Sequence, residues 1–192
     1  MVNPSITIPE IFKVSHEKFT QLASINRNLR LERSATGELI ILLPTDSNTG
    51  NINLDIEGQL WLWNRQNKLG KTFNSSTGFT LPNGAVRSPD AAWIKLAHWE
   101  ALTLKEREGF APICPDFVVE LLSPSDNIET TREKMREYME NGAILGWLID
   151  RKNRLVEIYR QGREVEVLNH PPTLSGENIL PGFVLELAEV WR

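Results

Sequence analysis

The most apolar stretch of the chain, residues 117–122, contains a single carboxylate. Its sequence is FVVELL, so Glu120 has aliphatic neighbours on both sides. A strand that is apolar at nearly every position is normally covered on both faces of a sheet. Burying an isolated charge there is costly, so Glu120 must be paired, bound to a metal ion or protonated. An ordinary ion pair at the end of the sheet explains this one residue as well as a functional site does.

Length and composition favour one globular domain. We expect a single domain over residues 1–192, of which residues 1–10 form a loose arm. The only cysteine is Cys114, and the three histidines have no spacing typical of zinc ligands, which argues against a zinc enzyme. The first residues do not resemble a signal peptide, and no apolar run reaches the roughly 20 residues that span a bilayer. We therefore expect a cytoplasmic protein that does not contact a membrane.

The hydrophobic periodicity and the turn residues predict a mixed α/β (α+β) fold, with one β-sheet flanked by helices. The predicted elements are a helix at 15–24, a hairpin over 29–43, a helix at 51–68, strands between 71 and 94, a short helix after Thr103, a strand at 117–122, a helix at about 127–140 capped by Ser125 or Asp126, a strand at 145–149, a hairpin over 155–168 and a last strand within 181–187.

A second carboxylate, Asp90, leads the apolar strand that follows Pro89. The proline places Asp90 at a strand entrance or a bulge. An Asp in a turn is the commoner explanation for this residue taken alone. If the strands that carry Asp90 and Glu120 are neighbours, both carboxylates reach one cleft. Two carboxylates with access to water suit a hard cation such as Mg²⁺, which prefers oxygen ligands.

Lys134 lies on the predicted helix after Glu120, at the border of its apolar stripe, so its ammonium can reach a site at the end of the sheet. A surface lysine whose stem covers apolar surface is the alternative. In the loop before this helix, Ser123 and Ser125 could present hydroxyls to a phosphate or to a metal-bound water. Turn formation and helix capping explain both serines equally well.

Together these stretches resemble the Uma-two family of endonucleases, a branch of the PD-(D/E)xK nuclease superfamily that is common in cyanobacteria. Each piece is weak alone, but the ordered set is specific. The matching stretches are SSTGF at 75–79, LPNG at 81–84, RSPDAAW at 87–93, PDFVVELLSPSD at 115–126, KMREY at 134–138, NGA at 141–143, LGWLID at 145–150 and LPGF at 180–183.

The resemblance implies a restriction-endonuclease-like core and a Mg²⁺-dependent endonuclease, with Mn²⁺ as a second possible cofactor. Asp90 and Glu120 would supply the acidic motif positions and hold the metal together with the backbone carbonyl of Leu121. The superfamily places a lysine two residues after the second acid, where this chain has Leu122, so the resemblance assigns that role to Lys134. Glu57 is the candidate for an additional acid from an early helix, and a solvated helix face explains it as well.

The expected substrate is a phosphodiester bond in a nucleic acid, with DNA favoured over RNA. The net charge of −4 argues against binding nucleic acid by overall charge alone, but it allows a local basic groove. A homodimer is expected if residues 180–191 form an exposed apolar patch. The candidate phosphate-neutralising residues are Arg65, Lys68, Lys71, Arg87, Arg132 and Arg136.

Three other interpretations stay open from the sequence. The first is a catalytically silent member of the same fold that binds a nucleic acid or a protein. The second is a glycosidase, whose two acids need a fixed separation and no metal. The third is a structural scaffold in which the buried acid forms an ion pair. Titration with Mg²⁺ separates the first two from a metal-dependent nuclease.

Overall fold

A computed structural model describes residues 13–192, so the predicted arm at residues 1–10 lies outside the described residues. The helices are α1 (His16–Ile25), α2 (Ser47–Asn67), α3 (Leu96–Ala101), α4 (Leu104–Arg107) and α5 (Ile128–Glu140). The strands are β1 (Arg30–Arg33), β2 (Leu39–Leu42), β3 (Gly70–Asn74), β4 (Phe79–Thr80), β5 (Val86–Arg87), β6 (Ala91–Lys95), β7 (Phe117–Leu121), β8 (Leu145–Asp150), β9 (Leu155–Arg160), β10 (Glu166–Asn169), β11 (Thr173–Ser175) and β12 (Val184–Glu186).

The central sheet is mixed and runs in the order β10-β9-β8-β7-β6-β3. Strands β7 and β8 are parallel and are joined through α5, whereas the other neighbours in this sheet are antiparallel. A parallel pair needs such a crossover connection, and a helix that provides it covers one face of the sheet. The predicted fold class, a mixed sheet flanked by helices, is confirmed.

Strand β7 is buried on both faces, and its side chains alternate between two hydrophobic clusters. Val119 and Leu121 pack with the apolar residues of α2, whereas Val118 packs with Met135 and Tyr138 of α5. Because side chains alternate along a strand, Glu120 lies on the α5 side. The helix that follows β7 in sequence therefore faces the carboxylate that interrupts the strand.

A smaller sheet, in the order β2-β1-β5-β4, lies beside the chain that leads into β6. Its β1–β2 hairpin matches the predicted one, and Arg33 of β1 pairs with Val86 of β5. Leu31 packs against Phe19 and Val86, while the next residue, Glu32, is also buried. This hairpin therefore brings a second buried acid close to the segment that precedes Asp90.

One predicted helix start and one predicted helix cap were wrong. Helix α2 begins at Ser47 rather than at residue 51, because the Asp46 carboxylate accepts the N–H groups of Asn48 and Thr49 and caps the helix. Helix α5 is capped by Asn127 and not by Ser125 or Asp126. Asp126 instead accepts the N–H of Ser123 within the preceding loop.

The apolar patch predicted at residues 180–191 is wrong as well. Leu180, Leu185 and Leu187 are fully buried, because the C-terminal segment covers the α2 side of the central sheet. The exposed apolar side chains of α2 include Leu54 and Trp61 instead. A homodimer stays a prediction, without its original basis. No helix between residues 13 and 192 is long and apolar enough to span a bilayer.

Gly70 holds the edge of the central sheet against α2. Its N–H donates to the Asn64 side-chain oxygen at 3.1 Å, and a Cβ at Gly70 would lie 2.2 Å from the carbonyl oxygen of Ile94. We expect Gly70→Ala to lower the free energy of unfolding by about 1–3 kcal/mol or more, because backbone atoms must move to relieve the clash. Urea denaturation measures this change.

Gly58, exposed in the middle of α2, supplies the matched control. A Cβ at Gly58 meets no atom within 4 Å, so Gly58→Ala should raise the free energy of unfolding by about 0.5–1 kcal/mol through helix propensity. Equal changes in the two variants would contradict the packing described for Gly70.

Candidate active site

Asp90 lies directly before β6, opposite the acid-bearing part of β7. Ala91 pairs with Val119 in the antiparallel register, so the preceding residue, Asp90, comes opposite Glu120. One Asp90 oxygen accepts the N–H of Leu121 at 2.8 Å, and the other is 3.4 Å from the Asn53 amide nitrogen on α2. Asp90 is thus fixed at the end of the strand pair, between the backbone of β7 and helix α2.

Glu120 is the buried acid that the strand sequence singles out. Its Oε1 lies 2.9 Å from Lys134 Nζ and accepts the Tyr138 hydroxyl at 3.1 Å. Burial raises the pKa of Glu120 to about 7 against the opposing effect of Lys134, and the charge of Asp90 contributes to this increase. Burial also raises the pKa of Asp90 above its usual value. The two carboxylates are therefore close enough for their charges to interact, and neither is fully compensated within the protein.

Lys134 reaches the site from α5 and uses all three of its ammonium protons. Besides Glu120, its partners are Glu32 Oε1 at 3.0 Å and the backbone oxygen of Ser88 at 3.3 Å. Burial alone would lower the pKa of Lys134, but the charges of Glu120 and Glu32 raise it above its usual value. The side chain is therefore an ammonium held between two carboxylates, as the position of Lys134 at the border of the helix stripe allowed.

Three residues of this cluster were missed by the sequence prediction. Glu32 lies in a short, charged hairpin strand that looks solvated in sequence, and only the pairing of β1 with β5 buries it. Tyr138 lies in the apolar stripe of α5, and the sequence gives no sign that its hydroxyl has a hydrogen-bond partner. The sequence gives no indication that Asn53 belongs to the site, except that it lies four residues before Glu57 and therefore on the same side of α2.

Glu57 is half-buried rather than fully solvated. Its carboxylate accepts the N–H of Ser75 at 3.1 Å. Burial raises its pKa, and the charge of Asp90 adds to this effect. Ser123 and Ser125 hydrogen-bond to each other at 3.1 Å, in keeping with the turn interpretation. Glu57 thus lies near Asp90, while the two serines interact within their own loop.

Two of the candidate phosphate-neutralising residues already bind carboxylates of the protein. Arg87 contacts Glu32 and Glu137, and Arg132 contacts Glu129 and Glu157. Their positive charges are therefore largely balanced, which makes them weaker candidates for binding phosphate than the sequence suggested.

The donor groups around Asp90 fit a hard divalent cation. The side-chain oxygen of Asn53 is buried without a hydrogen-bond partner, and the same amide lies beside Asp90, whose pKa is raised by burial. No group of three or more His, Cys, Asp and Glu side chains between residues 13 and 192 forms a metal site by itself. Mg²⁺ is commonly held by only one or two carboxylates and keeps several waters, so this oxygen-only set suits it.

The family model described as "Uma2: Putative restriction endonuclease" matches residues 16–188. The chain belongs to the Uma2 family. Among solved structures, one titled as a putative nuclease belonging to DUF820, from Anabaena variabilis ATCC 29413, matches with a TM-score of 0.77 and 18% sequence identity. The match covers 93% of this chain and 97% of that one and shows a shared fold. A comparison with the curated proteins gives no match.

In this Uma2 protein the position two residues after Glu120 cannot supply the lysine of the wider superfamily pattern. Leu122 is buried among the apolar residues that pack with α5. The ammonium that contacts Glu120 comes instead from the helix, through Lys134. The structure thus brings Asp90, Glu120 and Lys134 together, while their catalytic roles stay predictions.

Glu120 and Glu32 should respond in opposite ways to neutralisation. A carboxyl whose pKa is higher in the folded than in the unfolded protein lowers the stability of the fold as the pH rises between these two values, which for Glu120 are about 7 and 4.5, and the full loss is present above pH 7. At pH 8 with a chelator present, Glu120→Gln should raise the free energy of unfolding by about 1–3 kcal/mol. Urea denaturation measures both this variant and its counterpart at Glu32.

The pKa of Glu32 is shifted in the opposite direction to that of Glu120. Burial alone would raise its pKa, but Lys134, Arg87 and the N–H of Ser88 lower it below the usual value. Ionised Glu32 therefore stabilises the fold at pH 8, and Glu32→Gln should lower the free energy of unfolding by roughly 3 kcal/mol. Changes of the same sign in both variants would contradict the assigned charges.

Proposed function

We propose that this Uma2 protein is a metal-dependent endonuclease that hydrolyses phosphodiester bonds, with DNA as its substrate. The observation that carries the proposal is the meeting of Asp90 and Glu120 at the end of β6 and β7, with the Lys134 ammonium 2.9 Å from Glu120. Membership of a family of restriction endonucleases supports the reaction class. Mg²⁺ dependence and the choice of DNA are part of the proposal.

Asp90, Glu120 and the backbone carbonyl of Leu121 would hold the cation, and Asn53 would offer its unpartnered amide oxygen. When bound, Mg²⁺ would supply a water with a lowered pKa and would polarise the phosphodiester. The N–H of Leu121 fixes one Asp90 oxygen, so the carboxylate is oriented before any ligand arrives. Such orientation reduces the ordering that binding would otherwise require.

Lys134 provides a fixed positive charge beside the acids. Its ammonium is buried enough for electrostatic effects to be stronger than in water. In the proposed reaction it stabilises the negative charge that develops on the phosphate or orients the attacking water. Tyr138 donates to Glu120 from the same helix and so restricts the rotation of that carboxylate.

The carboxylates can be tested by substitution. Asp90→Ala and Glu120→Ala should each lower Mg²⁺-dependent cleavage of plasmid DNA by about 100-fold or more, because each removes a ligand of the cation. Calorimetric titration should show weakened Mg²⁺ binding in the same variants. The matched control is Glu133→Ala, which removes an exposed acid of α5 beside Lys134.

Full cleavage by either variant would remove that residue from the mechanism. Wild-type protein that binds DNA but does not cut it with Mg²⁺ or Mn²⁺ would instead favour the catalytically silent module.

A further inference from the structure

Lys134 has a second anionic partner that lies on a different part of the fold from Glu120. Glu32, on the β1 strand of the smaller sheet, contacts the Lys134 ammonium at 3.0 Å. Only 2% of Glu32 is exposed, so its carboxylate is closed off from solvent. Burying a second carboxylate beside Glu120 is costly unless its negative charge is paired and hydrogen-bonded.

Both oxygens of Glu32 are held in place. Oε1 accepts the N–H of Ser88 at 2.8 Å in addition to Lys134, and Oε2 binds Arg87 at 3.2 Å. Arg87 is fixed in turn by Glu137 of α5 at 2.5 Å. The carboxylate is therefore restrained by the segment between β5 and β6 and, through Arg87, by α5.

Ser88 connects this arrangement to the metal-binding acid. Its N–H binds Glu32, its carbonyl accepts from Lys134, and it lies two residues before Asp90. Lys134 is thus tied to the same short segment that places Asp90. A lysine has a flexible four-carbon stem, so a charge delivered from a helix needs such anchors to occupy one place.

We infer that Glu32 is the positioning residue for Lys134. It holds the ammonium beside Asp90 and Glu120 and takes no part in binding the substrate. The inference rests on the proposed function and explains how the chain can place its lysine on α5 instead of two residues after Glu120. If Glu120 binds a cation, Glu32 and the Ser88 carbonyl remain as partners of Lys134. Because Arg87 shares Glu32, the positive charge of Lys134 is not fully cancelled.

A double-mutant cycle, measured by the rate of DNA cleavage, tests whether Glu32 acts through Lys134. Glu32→Gln and Lys134→Gln should each lower kcat by about 10-fold or more, while KM for DNA and the Mg²⁺ dissociation constant change by less than about 3-fold. The double variant should be no more than about 2-fold slower than Lys134→Gln alone, because Glu32 acts through Lys134. Glu32→Asp, which keeps the charge, should recover part of the loss and replaces Glu32→Gln if that variant does not fold.

Glu157→Gln is the matched control, since Glu157 is also a buried carboxylate that binds an arginine, Arg132. It should leave kcat within about 2-fold of the wild type. Losses that multiply in the double variant, or an unchanged kcat in Glu32→Gln, would overturn the inference while leaving the nuclease proposal intact.

A second measurement does not depend on activity. Acetylation of Lys134 by an N-hydroxysuccinimide ester, followed by mass spectrometry with and without Mg²⁺, reports how firmly the ammonium is held. Lys134 should react slowly in the wild type and at least about 5-fold faster in Glu32→Gln, with the exposed Lys71 and Lys95 as internal references. Equal rates would overturn the inference even if the wild type proves inactive, whereas inactivity with the expected rates would count against the proposed function only.

Discussion

The burial of a carboxylate in the middle of β7 is the constraint on which the rest of the site depends. Glu120 is 7% exposed, and the fold must offset the loss of its hydration. It does so only in part, through the ammonium of Lys134 and the hydroxyl of Tyr138, so the pKa of Glu120 stays raised. The cation proposed above would offset the remaining negative charge.

The topology explains why these groups meet. Strand β7 pairs with β6 on one side, which brings Asp90 to Glu120, and with β8 on the other, which requires the crossover through α5. The crossover helix α5 lies over the face of β7 to which Glu120 points. The connection between β7 and β8 therefore places Lys134 beside Glu120. The N-terminal hairpin then closes the cluster with Glu32. Four separate segments of the chain thus contribute charges to one place.

Much of the fold and of the candidate site could be predicted from the sequence. The features that could not be predicted depend on tertiary packing or on local capping. The apolar context of Glu120 made its burial visible, and the stripe on α5 placed Lys134 at its border. Glu32 gave no such signal, because only the pairing of β1 with β5 buries it. Residues 180–191 looked like an interface because an apolar stretch in sequence does not reveal what covers it. The start of α2 was missed because Asp46 caps a polar turn that resembles a loop.

The site described above requires that Asp90 and Glu120 bind one cation together. Anomalous diffraction from crystals soaked in Mn²⁺ tests it directly, since Mn²⁺ takes the same oxygen ligands as Mg²⁺ and can be located by its own scattering. We expect an anomalous peak about 2.0–2.2 Å from a carboxylate oxygen of each residue. A peak bound elsewhere on the protein, with both carboxylates left unliganded, would contradict it.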